Sequence, residues 1–320
     1  MRIVDAHLHV LDASWIPEGM RRAWARQAAG RRHPERDPED LIDRVAVGQS
    51  DPDGSRTIAA FDRVGVASGV IPVVDWTIVG RPNGQHLPIR ALHAEHVRLA
   101  ERWPGRLYHC AGLDPRHEDA QAILDEALSA PTCVGAKLYP AAGWHADDPA
   151  HAWVFEHLEE RGVPAVVHTS PLGGDPLITP RSRPAALVPT LAAHPDLTLV
   201  MAHAGFEAWW EEALDLAHGW RRTHLEISLW DRLAERDIHE FRRRMSLLVD
   251  HLGPHRIIFG SDIIRGPSAD PEGQRLGWWI DVFQGLAEKY DGRPAVVGSD
   301  AMELMLAGNA DRIYGLEAGA

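Results

Sequence analysis

Short apolar runs alternate with longer stretches of helical periodicity along the chain. Runs at 2–9, 69–74, 106–112, 133–139, 164–168, 197–203, 224–228 and 256–261 predict strands. Most are bounded by Gly, Pro or Asp, and most are too uniformly apolar for a sheet with one wet face. They suit parallel strands covered on both sides. Between them, 87–102, 118–130, 150–161, 183–194 and 238–252 predict helices. The first carries Ile89, Leu92, His96/Val97 and Leu99/Ala100 on one face. Helix 150–161 stops at Gly162 with Pro164 beyond it, and 238–252 stops at Gly253-Pro254. This alternation predicts a (β/α)8 TIM barrel; the rival, a doubly wound sheet, normally has fewer strands.

Residues 11–55 fit neither period and are dense in charge and proline, so they predict an insertion over the barrel mouth. The whole chain, 1–320, then reads as one domain. Segments 169–183 and 263–274 are Pro/Gly-rich and follow strands, so they extend the C-terminal face, where barrels build their sites. The tail 302–316 predicts a closing helix.

Composition narrows the function. The formal charge of −13 repels polyphosphate, so nucleic acid is excluded as the main partner. No apolar run is long enough to span a membrane, and the N-terminus lacks the apolar stretch of a signal peptide. With two cysteines, Cys110 and Cys133, both expected to be inert core thiols, a cytoplasmic protein with reduced thiols is expected. Nineteen histidines matter only through their positions.

On the first strand Asp5, His7 and His9 alternate with apolar Val4, Ala6, Leu8 and Val10. The polar set is expected to face the barrel interior and the apolar set the helices. Paired buried imidazoles need a partner; a divalent metal supplies one, and hydrogen bonds at a strand end are the alternative. His168 ends PAVVH, His203 ends LTLVMAH and Asp262 ends RIIFGSD, each the first polar group after a buried run. A closed barrel brings such ends to one rim, and histidines plus a carboxylate suit zinc or a similar ion. Such an ion would lower the pKa of its bound water towards about 7. Asp262 could then take the water's proton and His203 donate to a leaving group.

HLH on strand one, VVHTS after strand five, MAHAG after strand six, FGSD after strand eight, GLDP, GAKLYP and the closing GNADRIYGL resemble the amidohydrolase superfamily. They are most similar to its amidohydrolase-related branch, which includes aminocarboxymuconate-semialdehyde decarboxylase and lactone or amide hydrolases. The resemblance spans Asp5 to Leu316. It implies one divalent metal, Zn2+ or alternatively Mn2+, held by His7, His9, His168 and Asp262. It further implies His203 as acid/base and Asp262 as the proton acceptor. Lys137 matches a strand-four lysine that is carboxylated in binuclear members; here an unmodified lysine that binds substrate is favoured. If it were a ligand, two metals would bind and His203 would be a ligand too. Relatives are often dimers, so a homodimer is an expectation of the resemblance.

The leading function is therefore a metal-dependent hydrolase acting on a small-molecule amide, lactone or related carbonyl through a metal-activated water. The alternative is a non-oxidative decarboxylase of a small carboxylic acid on the same scaffold. A TatD-type nuclease is disfavoured by Lys137, which stands where those proteins use glutamate, and by the charge. A non-catalytic barrel is disfavoured by the complete ligand set. Arg265 at the mouth would suit an anionic substrate, with a solvated loop cation as the simpler expectation. Asp5 is expected to orient a ligand histidine or to bond backbone. Tyr139 and Trp144 line the pocket or pack, and Trp209-Trp210 and Trp278-Trp279 read as core or subunit contacts. His33, His86, His145 and His151 read as rim or surface. Glu226 in HLEIS either points inward beside the site or pairs with an arginine.

Overall fold

A computed structural model of the chain describes residues 1–31, 33–79 and 87–316. Its strands are β1 (Val4–Asp5), β2 (Leu8–His9), β3 (Ser68–Pro72), β4 (Leu107–Leu113), β5 (Cys133–Leu138), β6 (Ala165–His168), β7 (Leu199–Ala202), β8 (Thr223–Glu226), β9 (Ile257–Ile258) and β10 (Ile263–Ile264). Eight of them form one sheet in the order β1-β3-β4-β5-β6-β7-β8-β9, every neighbour parallel. The ring closes where the Ala6 N–H donates to Phe259 O at 3.1 Å and the Asp262 N–H to His7 O at 2.7 Å. β2 and β10 pair in parallel just above, with Ile264 beside His9. The predicted (β/α)8 TIM barrel is the observed fold, because strands apolar on both faces can be buried only between helices and a closed interior.

Two apolar layers follow from strand alternation. Leu107, Ala111, Leu113, Val167, Met201 and Leu225 pack outward against helices. Val70, Cys110, Val166, Val200, Ala202 and Ile258 fill the interior, plugged from below by Tyr314 and Leu316. Above that plug the interior positions become polar: Lys137, His168 and Glu226.

The first strand departs from regular alternation. Val4 and Ala6 belong to the interior layer, whereas Ile3, Leu8 and Val10 belong to the outer one. The chain bends at Ala6–His7 between β1 and β2, which shifts the phase by one residue. His7 thereby joins the interior, and Asp5 points away from it. The expectation that Asp5 shares a face with the histidines is corrected: its carboxylate accepts from Ser261 N–H at 2.9 Å and Ser261 Oγ at 2.6 Å.

Within 11–55 lie the helices Glu18–Gly30 and Ile42–Val47. Trp24 meets Trp76, in the loop after β3, edge-on at 5.7 Å. Arg26 pairs with Asp175 in the loop after β6. Gly48 O accepts from the Ser268 N–H at 2.9 Å, in the loop after β10. The segment thus touches three loops of the C-terminal face. No helix among the described residues is long and apolar enough to cross a membrane.

The outer layer also buries histidines. His109 on β4 faces the helix Ile89–Arg102, which carries His93 and His96, and neither ring nitrogen of His109 has a hydrogen-bond partner. Burial pulls His96 down to about 4 and His109 to about 3. In the unfolded chain such groups titrate near 6.5, so the unfolded state binds more protons below that pH. The stability these neutral rings allow is complete above roughly pH 6.5 and is lost as pH falls, at roughly 1.4 kcal/mol per pH unit for each histidine. The urea midpoint is expected to drop between pH 7 and pH 5, and to drop less in His109→Leu. Equal drops in the two proteins would contradict this account.

Candidate active site

His9 and His168 end β2 and β6, His203 directly follows β7, His7 lies in the bend between β1 and β2, Asp262 stands just before β10, and Lys137 is the penultimate residue of β5. The ligand atoms of His7, His9 and Asp262 lie within 4.8 Å of one another. His9 Nε2 is 3.0 Å and His7 Nε2 3.5 Å from Asp262 Oδ1. His168 closes β6, and its Nδ1 stands 3.0 Å from His203 Nε2. Its Nε2 is buried without a partner, as is that of His7. The Tyr139 ring lies against His168, centroids 4.4 Å apart.

His203 follows β7 in left-handed backbone, φ 68°, and Asp262 does the same at φ 54°. Non-glycine residues rarely adopt this conformation, and its cost is borne where a side chain must be aimed. Both ring nitrogens of His203 are engaged: Nδ1 with Ser228 Oγ at 2.7 Å and Nε2 with His168.

Glu226 is the residue the sequence left ambiguous. It ends β8 and is fully buried at the centre of the rim. His7 Nδ1 lies 2.7 Å from its Oε2, the Ser228 N–H 2.5 Å from Oε1, the Ser228 hydroxyl 2.8 Å and the His203 N–H 3.3 Å from Oε2. Glycine is required opposite it: a Cβ at Gly260 would collide with Glu226 Oε1 and crowd His7 Cβ. Alternation in HLEIS puts His224, Glu226 and Ser228 on one strand face, a signal that was available. Ser228 itself was missed.

Electrostatics set the protonation states. Burial holds His7, His168 and His203 well below the usual histidine range, reinforced by Lys137 and neighbouring imidazoles. Each is therefore neutral near pH 7, with one N–H and one lone pair. Burial opposes ionisation of Asp262, but the His9 hydrogen bond, the neighbouring imidazoles and Lys137 hold its carboxyl below the ordinary value. Burial lowers Lys137, and the charges of Asp262 and Glu226 oppose that fall. Burial raises Glu226 against its hydrogen bonds from Ser228.

Several side chains lie elsewhere. Arg265 is fully buried, neither a solvated cation nor a group at the mouth. Its nearest carboxylate is Asp270, 3.7 Å away, and its guanidinium lies 5.7 Å from the Phe61 ring centroid. Arg265 lines neither the groove beside Asp262 nor the cleft beside His9. Trp144 packs in the outer core with its ring 5.6 Å from that of His151. Trp210 and Trp279 are buried, and Trp278 is half-buried beneath Arg275. Cys110 is buried and Cys133 half-buried. His33 and His145 are exposed; His86 lies outside the described residues.

Two spaces meet at these groups. Asp262 lines an open, polar groove of about 920 Å³, shared with Asp231, Glu235 and Arg275. His9 lines a narrow apolar cleft walled by Trp15, Ile16, Val73, Trp76 and Leu92. Residues 11–55 thus reach His9 through Trp15 and Ile16.

A closed parallel barrel with neutral imidazoles and carboxylates gathered at the C-terminal ends of its strands defines a TIM-barrel enzyme with a candidate metal-binding group. The amidohydrolase family profile matches residues 4–316, and the chain belongs to that family. Among solved structures it is similar to an uncharacterised TIM-barrel protein, Bb4693, from Bordetella bronchiseptica, at 17% identity and TM-score 0.67, covering 99% of each chain. It is similar to 5-carboxyvanillate decarboxylase from Sphingomonas paucimobilis at 14% identity and TM-score 0.64, again over 99% of each. A candidate 2-pyrone-4,6-dicarboxylic acid hydrolase from Pseudomonas putida is 18% identical with TM-score 0.61, covering 99% of this chain and 98% of the other. A search of curated proteins gave no match.

Proposed function

We propose that the protein is a metal-dependent hydrolase of a small-molecule amide, lactone or related carbonyl. The observation that carries this reading is the pair of buried, unpartnered Nε2 atoms on His7 and His168, beside the His9–Asp262 contact. Leaving neutral imidazole lone pairs bare in a protein interior costs a few kcal/mol unless something binds them. Three imidazoles and a carboxylate fit zinc, with manganese as the alternative. His7, His9, His168 and Asp262 would hold the ion, which when bound supplies Lewis acidity to a carbonyl and acidifies water.

The chain's own groups divide the remaining work. Asp262, which lines the open groove, takes the proton of the attacking water. Lys137 presents the cation that stabilises negative charge on a substrate oxygen. We favour an unmodified Lys137, because carboxylation would add a third anion beside buried Asp262 and Glu226. The substrate enters by the open groove of about 920 Å³ that Asp262 lines, since the Trp15–Trp76 cleft, about 20 Å³, has room for little more than a water. With both ring nitrogens engaged, His203 has none free for a leaving group and acts by holding His168.

Lys137 also supports a second reading, since a buried cation suits the carboxylate of a decarboxylase substrate. The two are separated by offering lactones and amides, then aromatic and enoic acids, in ¹⁸O water. Hydrolysis predicts label in a new carboxylate and no carbon dioxide. Release of carbon dioxide without label would establish the second reading and reject the first.

A further inference from the structure

The site contains a chain of hydrogen bonds whose direction can be read from one end. Glu226 receives the backbone N–H groups of Ser228 and His203, which can only donate. Its Oε2 also faces the Ser228 hydroxyl and His7 Nδ1; as a carboxylate Glu226 has no proton to give, so both of these groups donate to it. Glu226 is therefore the acceptor throughout.

The rest follows by counting protons. The single Ser228 hydroxyl proton goes to Glu226, so Ser228 Oγ accepts from His203 and the His203 proton sits on Nδ1. His203 Nε2 is then a lone pair and must accept from His168 Nδ1–H, 3.0 Å away. That leaves His168 Nε2 as a bare lone pair. On the other branch His7 gives its Nδ1 proton to Glu226, leaving His7 Nε2 bare. The two nitrogens freed by this logic are the ones buried without partners. In the reverse direction His168 Nδ1 would accept from His203 Nε2–H, and the His168 proton would occupy the nitrogen meant for a metal.

We propose that Glu226, acting directly on His7 and through Ser228 and His203 on His168, is a positioning residue that sets the tautomers of three histidines so that His7 and His168 each present an Nε2 lone pair. The inference rests on the reading of those two residues as metal ligands, and it extends that reading to groups that touch neither metal nor substrate. A ligand histidine commonly gives its second N–H to a carboxylate; here one carboxylate serves two ligands from separate strands.

The test is ¹⁵N-histidine NMR of the full-length protein at pH 8, chelator-stripped and zinc-loaded. His7, His168 and His203 are each expected to carry the proton on Nδ1. Ser228→Ala cuts one branch only: His7 should be unchanged, while His203 and His168 lose the fixed Nδ1–H state, and zinc affinity should fall on the order of 10–100-fold. Ser228→Thr, which keeps the hydroxyl, should restore both. Nε2–H on His203 in the unmodified protein, or unaltered His203 and His168 spectra in Ser228→Ala, would overturn the proposal. The expected tautomers in a chain that binds no zinc would support the relay while rejecting the metal reading, so the two failures are distinguishable.

Discussion

Asp262→Asn is expected to reduce turnover by about 10²–10⁴-fold even at saturating metal. The carboxylate stands 3.0 Å from His9 Nε2 and lines the open groove. Its ionised state is held, despite burial, by the His9 hydrogen bond, the neighbouring imidazoles and Lys137. Asparagine keeps the shape and an oxygen that can contact a cation, but it cannot accept a proton from water. The loss should fall on kcat, because asparagine keeps the shape of the side chain and removes only its capacity to take a proton. Single-turnover kinetics of the metal-loaded variant check this; undiminished turnover would remove Asp262 as the base.

His7→Ala/His9→Ala should abolish activity by removing the ion. Wild-type protein is expected to carry one zinc or manganese per chain by elemental analysis, and the double variant none. The barrel should survive, because its closure uses the backbone oxygen of His7 and not its ring. Circular dichroism that matches wild type separates loss of metal from loss of fold. Two equivalents in the wild type would instead point to a carboxylated Lys137 and a second ion near His7, His203 and Glu226, whose ligand atoms also lie within 4.8 Å of one another.

The barrel was legible because its strands are apolar on both faces, a pattern that few other folds need. His168, His203 and Asp262 were legible as the first polar groups after buried runs. The face assignment on the first strand failed at one place: period-two reasoning carries no information about the bend at Ala6–His7, so it aimed Asp5 inward. Arg265 was misplaced because loop residues have no period, and nothing local says that Gly48–Asp51 folds over it. Gly266, in contact with the Gly48 and Gln49 backbone, makes that close approach. Glu226 could have been aimed by alternation, but its importance depends on Ser228, His203 and His7 meeting there, which are distances across three strands. The cleft at Trp15 and Trp76 joins two loops and was invisible for the same reason.

The most direct test is an anomalous-scattering map from crystals grown with zinc. The account predicts one strong peak per chain, contacted by Nε2 of His7, His9 and His168 and by a carboxylate oxygen of Asp262. A peak centred instead between His7, His203 and Glu226, or no peak in zinc-replete crystals, would contradict it.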